Sequence, residues 1–159
     1  MLAALLLVLA GLLAWRRPPA VEGRRECTAD DLTLAYGALA RAEQALLAPP
    51  KEGAWPAAES AFRDYRHCDE GPIRVGFTGV TCQLLSRRWG EAADVARDAR
   101  KQRWLLPFLT SHLLDGCRSD DRAVIAWLAE RKCPRYAKTF CGEVRRAATQ
   151  QGTAQPDLP

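Results

Sequence analysis

The sequence predicts an all-α protein, a single small domain of six or seven short helices, and three observations predict it. Apolar residues recur at steps of three and four along most of the chain, the spacing of one helix face. No segment alternates apolar and polar residues between turn signals, as strands do. The stretch Cys68 to Trp89, CDEGPIRVGFTGVTCQLLSRRW, is apolar on two sides at helical pitch. Ile73, Phe77, Val80 and Leu84 fall on one side, and Val75, Cys82, Leu85 and Trp89 on the other. A helix apolar on two sides is covered on two sides, so this one is expected at the centre with others packed around it.

The elements follow in order. Residues 1–15 carry no charged side chain and are mostly Leu, Ala and Val. The run is shorter than the roughly 20 residues of a spanning helix and fits the core of an export signal or a short anchor. Arg16 and Arg17 follow the run and no basic residue precedes it, the reverse of the usual signal pattern. A Pro-, Arg- and Glu-rich linker continues to Glu26, and the domain is expected over residues 27–150. Thr28 can cap a first helix with Asp30 and Asp31 at its positive dipole end; its apolar stripe would be Leu32, Tyr36 (or Ala35), Leu39, Ala42 and Leu46, stopped by Pro49 and Pro50. Pro56 opens a second helix with Ala58, Ala61, Phe62 and Tyr65 facing inward.

After the central helix, Glu91 to Arg100 should bury Ala92, Val95, Ala96 and Ala99. A fifth helix carries Trp104, Leu105, Phe108, Leu109, His112 and Leu113, with Pro107 marking either a kink or the true start. Ser119, Asp120 and Asp121 open a sixth, holding Ala123, Val124, Trp127 and Leu128. The seventh uses Tyr136, Phe140, Cys141 and Val144, and residues 151–159 form a polar tail expected to be disordered.

Cys27, Cys68, Cys82, Cys117, Cys133 and Cys141 make an even count in a chain with an export-like start, which reads as three disulfides formed in an oxidising compartment. The count alone leaves the pairing open; the expected set is Cys27–Cys68, Cys82–Cys117 and Cys133–Cys141, the last stapling the final two helices. No C-x-x-C pair is present and the two histidines lie far apart, so no metal site is expected. No cofactor is expected either. The formal charge of +4 is too small to mark a nucleic-acid binder.

Two windows, WPAAESAFRDYR from Trp55 and WGEAADVARDAR from Trp89, repeat at an offset of 34 residues. They share Trp55/Trp89, Ala58/Ala92, Arg63/Arg97, Asp64/Asp98 and Arg66/Arg100. The spacing resembles that of tetratricopeptide repeats, although the leading helix signature of that family is missing, and it implies a helical-repeat adaptor as one alternative.

Chemistry-bearing residues are few. His67, Cys68, Asp69 and Glu70 cluster on one turn, but adjacent side chains on a turn point apart. Cys68 is expected to be bridged, with Asp69 and Glu70 capping the central helix. The enzymatic alternative is an envelope hydrolase using Asp69 and Glu70, which requires carboxylates facing each other about 5–9 Å apart. Gly-rich phosphate loops, G-x-S-x-G and H-E-x-x-H are absent. Arg97, Arg100, Lys101 and Trp104 share helical spacing and form the candidate surface for an acidic partner. The function expected is therefore non-enzymatic: an exported or envelope-anchored protein, periplasmic or secreted, that binds another envelope protein as an inhibitor, immunity-type or assembly factor does. It would meet a membrane only through residues 1–15.

Overall fold

Thr28 opens the first helix with a complete capping box. Its hydroxyl accepts from the Asp31 N–H and the Asp31 carboxylate accepts from the Thr28 N–H, each at 3.1 Å. This helix, α1 (Ala29–Leu47), begins a chain that a computed structural model describes over residues 25–150. The apolar run, most of the linker and the tail lie outside the described residues. Six helices follow: α2 (Trp55–Tyr65), α3 (Gly71–Arg87), α4 (Ala92–Lys101), α5 (Leu105–Gly116), α6 (Ser119–Arg131) and α7 (Lys138–Thr149). Short 3-10 turns at Pro50–Glu52, Arg66–Cys68 and Trp89–Glu91 join several of them. The all-α architecture predicted from periodicity is the one observed, and no strand occurs among the described residues.

Helix α3 is central: α1, α5 and α6 all pack against it. Ile73, Phe77, Val80 and Leu84 are buried on one side, where Phe77 meets Phe62 and Phe108 edge-on, each at 5.5 Å between ring centres. The other side is only partly covered. Cys82, Leu85 and Trp89 are buried, but Val75 is 71% exposed, against the expectation that this face is closed along its length.

Two further stripes differ from expectation. On α1, Leu32 and Tyr36 face solvent while Ala35, Ala38, Leu39, Ala42 and Leu46 are buried. α1 and α3 approach so closely that a Cβ on Gly76 would lie 2.6 Å from Leu39 Cδ1. Gly76 thus makes room for Leu39, and three alanines share the buried face with it. On α6, Ile125 and Ala129 are buried, whereas Val124 and Trp127 are exposed and Ala123 lies with them. Tyr136 precedes α7 and is exposed, with Arg100 over its ring at 5.4 Å. Pro107 is the third residue of α5, so it marks the start: the N–H it lacks is one that no helix start could satisfy internally.

A buried ion pair joins two helix ends. Arg88 donates to the Ala48 carbonyl at 2.8 Å and to Glu91 at 2.9 Å; Glu91 Oε2 accepts the N–H groups of Ala54 and Trp55 at 2.7 and 2.6 Å. The pair thus closes the end of α1 and the start of α2 together. Burial pushes the Glu91 carboxyl up, but those N–H bonds and Arg88 outweigh it and leave it below its ordinary value.

The three disulfides join Cys27 to Cys68, Cys82 to Cys117 and Cys133 to Cys141, with Cα separations of 5.0, 5.6 and 6.0 Å. This is the expected set, and no described cysteine is free. Such bridges fit an oxidising, extracellular or periplasmic compartment. Among the described residues no helix is long and apolar enough to cross a membrane.

The two windows offset by 34 residues do not build equivalent hairpins. α2 packs chiefly along α1, whereas α4 packs on α5 and on its own leading turn. The two indoles also bind different things: Trp55 donates to Asp98 at 2.8 Å, and Trp89 to the Lys132 carbonyl at 3.0 Å.

Candidate functional site

The turn after α2 sends consecutive side chains in three directions. His67 Nε2 points to Asp31, 3.5 Å away; Cys68 bonds to Cys27; Asp69 turns to α3 and α5. Neither Asp69 nor Glu70 caps α3 through its side chain. Gly71 enters with a positive φ of 48°, and Arg74 on the first turn of α3 draws the Asp69 carboxylate away from the helix end, at 2.7 Å. Glu70 is exposed and supplies only its backbone as the cap residue.

Asp69, Arg74, Thr78, His112 and Asp115 form one connected cluster. Arg74 bridges Asp69 on one nitrogen and Asp115 on another. His112, fully buried, has Nδ1 at 2.8 Å from the Thr78 hydroxyl and Nε2 at 3.4 Å from Asp69 Oδ1. Neither Nε2 nor Oδ1 forms a hydrogen bond of good geometry. Burial pushes the His112 pKa down to about 4, and the Arg74 cation adds to the fall. The ring is therefore neutral near pH 7. The tautomer that serves both neighbours carries its proton on Nε2, toward Asp69, and accepts the Thr78 O–H on Nδ1. Burial likewise pushes the Asp69 carboxyl up; Arg74 pulls it back, and Asp115 and Glu70 push it up again.

Thr78 opens onto a groove of about 580 Å³. Two ridges of α3 at i, i+4 spacing form one wall: Arg74, Thr78 and Cys82, then Val75, Gly79, Gln83 and Arg87. The other wall is the C-terminal end of α5 and the short link to α6. It advances along α3 about one residue per turn: Asp115 pairs with Arg74, Gly116 lies against Thr78, and Cys117 is bonded to Cys82. A Cβ on Gly116 would sit 3.0 Å from Thr78 Cγ2, so glycine lets the chain pass there. Arg118 and Asp121 complete the lining.

The basic strip expected at Arg97, Arg100, Lys101 and Trp104 is dispersed. Arg97 pairs with Asp94 at 2.7 Å and Lys101 with Asp98 at 3.7 Å; Arg100 lies over Tyr136. Trp104 is half-buried, with Arg66 over its ring at 4.6 Å. No array of free cations beside an indole remains there.

Compared with known proteins, the chain matches no family model, no curated protein and no solved structure.

Sequence reasoning found Asp69 but not what it meets. His112 lies 43 residues further on and Thr78 in mid-helix, and only packing brings them together. The arginines of the groove carried one usable signal. Given the Cys82–Cys117 bridge, Arg118 must lie near the Gln83 to Arg87 end of α3.

Proposed function

We propose that this chain is a non-enzymatic binding protein of the cell envelope, exported to the periplasm or secreted and held or released through residues 1–15. It docks on another envelope protein, in an inhibitory, immunity-type or assembly role. The observation that carries this reading is the open groove of about 580 Å³ along α3, built on a helix fixed by a disulfide in its own wall. A preorganised surface of this kind loses little conformational entropy on binding.

Catalysis is the second reading, favoured by the link from Asp69 through His112 to the Thr78 hydroxyl. Three features weigh against it. His112 is sealed and reaches the groove only through Thr78. Thr78 lies within α3, whose backbone N–H groups are consumed by the helix, leaving none to hold an oxyanion. Asp69 and Asp115 converge, but the Arg74 guanidinium binds both, so no sugar ring fits between the two carboxylates as a glycosidase requires.

Site-specific photo-crosslinking in the native envelope tests the binding reading. A photoreactive residue replacing Gln83 should give one discrete protein adduct, and the same residue replacing Arg97 on α4 should give none. Adducts from Arg97 and not from Gln83 would move the surface to the basic strip; none from either would remove the reading. An activated-ester hydrolysis abolished by Thr78→Val would instead establish the catalytic one.

A further inference from the structure

The groove is chemically uneven along its length, and that asymmetry points to what occupies it. At the Arg74 end the one cation is already taken, because Asp69 and Asp115 both bind Arg74. Val75, beside Arg74, is exposed, and the middle carries Thr78, Gly79 and Cys82 with no charged group. At the other end stand Arg87 and Arg118. Since the wall from Asp115 to Cys117 keeps pace with α3, Arg118 falls beside Gln83 and Arg87, and all three line the groove. Neither arginine makes an ion pair or a side-chain hydrogen bond among the described residues. Arg63, Arg74, Arg88, Arg97 and Arg146, by contrast, each hold a carboxylate. The nearest acid in the lining, Asp121, sits in the first turn of α6, where the helix dipole already answers it.

Two guanidinium groups at one end of a groove repel each other unless an anion lies between them, and a planar fork suits a carboxylate. We propose that Arg87 and Arg118 form a carboxylate-binding end, and that the groove seats an acidic segment of the partner protein, with an aliphatic side chain over Val75 and glutamates or aspartates on the two arginines. The inference rests on the binding reading above and supplies the chemistry of its partner. Charge complementarity selects a protein acid rather than a bare apolar segment, and exposed Val75, at the far end of the groove from the two arginines, selects a chain with side chains rather than a free anion.

The test uses the disulfide-intact protein and two fluorescein-labelled octapeptides followed by fluorescence anisotropy: glutamates interrupted by leucine, and the same with glutamine for glutamate. The acidic peptide should bind about tenfold more tightly than the neutral one. Arg87→Gln/Arg118→Gln should weaken it about tenfold, each arginine contributing about threefold, the size of an exposed ion pair. Arg87→Lys/Arg118→Lys should keep most of the affinity, and raised salt should weaken binding. Both arginines are exposed and unpaired, so the variants should melt within a degree or two of the parent. No binding of the acidic peptide, equal binding of both peptides, or an unaffected double glutamine variant would overturn the proposal. So would stronger capture by phosphatidylglycerol vesicles, or self-association, if either is lost in that variant: the groove would then hold a lipid phosphate or a second copy. The Gln83 crosslink separates the two levels. An adduct that survives Arg87→Gln/Arg118→Gln removes the acidic segment and leaves the binding reading standing, whereas no adduct from Gln83 removes both.

Discussion

The two sides of α3 are both apolar in sequence, but one is covered along its length and the other only in part. On one, Ile73, Phe77, Val80 and Leu84 are sealed, with Phe62 and Phe108 around Phe77. On the other, Val75, Thr78 and Gly79 open onto the groove. The difference lies in what covers them. Whole side chains of neighbouring helices fill the first side. Over the second, the cover is the C-terminal end of α5 and the two-residue link Cys117–Arg118, pinned by Arg74–Asp115 and Cys82–Cys117. A helix end and a short link fill less space than the flank of a helix, so they leave a cleft. Apolar residues on a helix face therefore show that something lies against it, but not whether a helix or a partner completes the cover.

That contrast can be broken by mutation, beginning with the largest effect. Phe77→Ala should cost about 3–5 kcal/mol, read as a fall in the midpoint of guanidinium unfolding, because it leaves a cavity between the rings of Phe62 and Phe108. A loss under about 1 kcal/mol would mean the sealed side is loosely packed. Next comes the pin of the open side. Cys82→Ala/Cys117→Ala opens a loop with a sequence separation of 35 and should cost about 3–4 kcal/mol in the same assay. It should also weaken groove binding, since the second wall then loses its covalent tie to α3 and keeps only Arg74–Asp115 and helix packing.

The buried imidazole gives the third effect. His112 is neutral in the folded protein, its pKa pushed down to about 4 from 6.5. Between those values the unfolded chain binds the proton more readily, so stability is fully present above pH 6.5 and is lost as pH falls toward about 4. The loss should total about 3 kcal/mol, on the order of the shift converted at 1.4 kcal/mol per unit. Asp69 acts in the opposite sense. Its raised carboxyl favours the folded state below its ordinary value of 3.8, and that contribution is lost as pH rises through the raised folded value. Wild type compared with His112→Asn at pH 7, 5 and 4 reads the imidazole together with any change at the Asp69 beside it. A flat difference across that range would contradict the buried neutral ring. The smallest effect belongs to the open side: Val75→Ser should change stability by less than about 0.5 kcal/mol, because 71% of the residue already meets solvent.

Much of the fold was legible because its signals are local. Thr28 caps the first helix and Pro56 and Pro107 mark helix starts; the even cysteine count pointed to three disulfides, whereas two of the pairings join residues 41 and 35 apart and the count alone left them open. The faces of α1 and α6 were less legible. Pattern reading gives weight to large residues such as Leu32, Tyr36, Val124 and Trp127, whereas the buried face of α1 is built from Ala35, Ala38 and Ala42 beside Leu39, for which Gly76 makes room. The candidate site was the least legible part. Asp69 stood out, yet its partners Arg74, Thr78, His112 and Asp115 are spread over two helices, and no spacing rule links residues that meet only through tertiary packing. The strip of Arg97, Arg100 and Lys101 was visible as helical spacing, but the acids one turn away, Asp94 and Asp98, neutralise much of it.

Everything proposed for the groove depends on its walls being covalently fixed in the compartment where the protein works. The direct measurement is the intact mass of the protein taken from its own cells, with free thiols alkylated at once, before and after reduction. The account predicts no alkylated cysteine before reduction and six after it. Six alkylated cysteines before reduction would place the chain in a reducing compartment, free the α5–α6 connection from α3, and contradict both the export reading and the preformed groove.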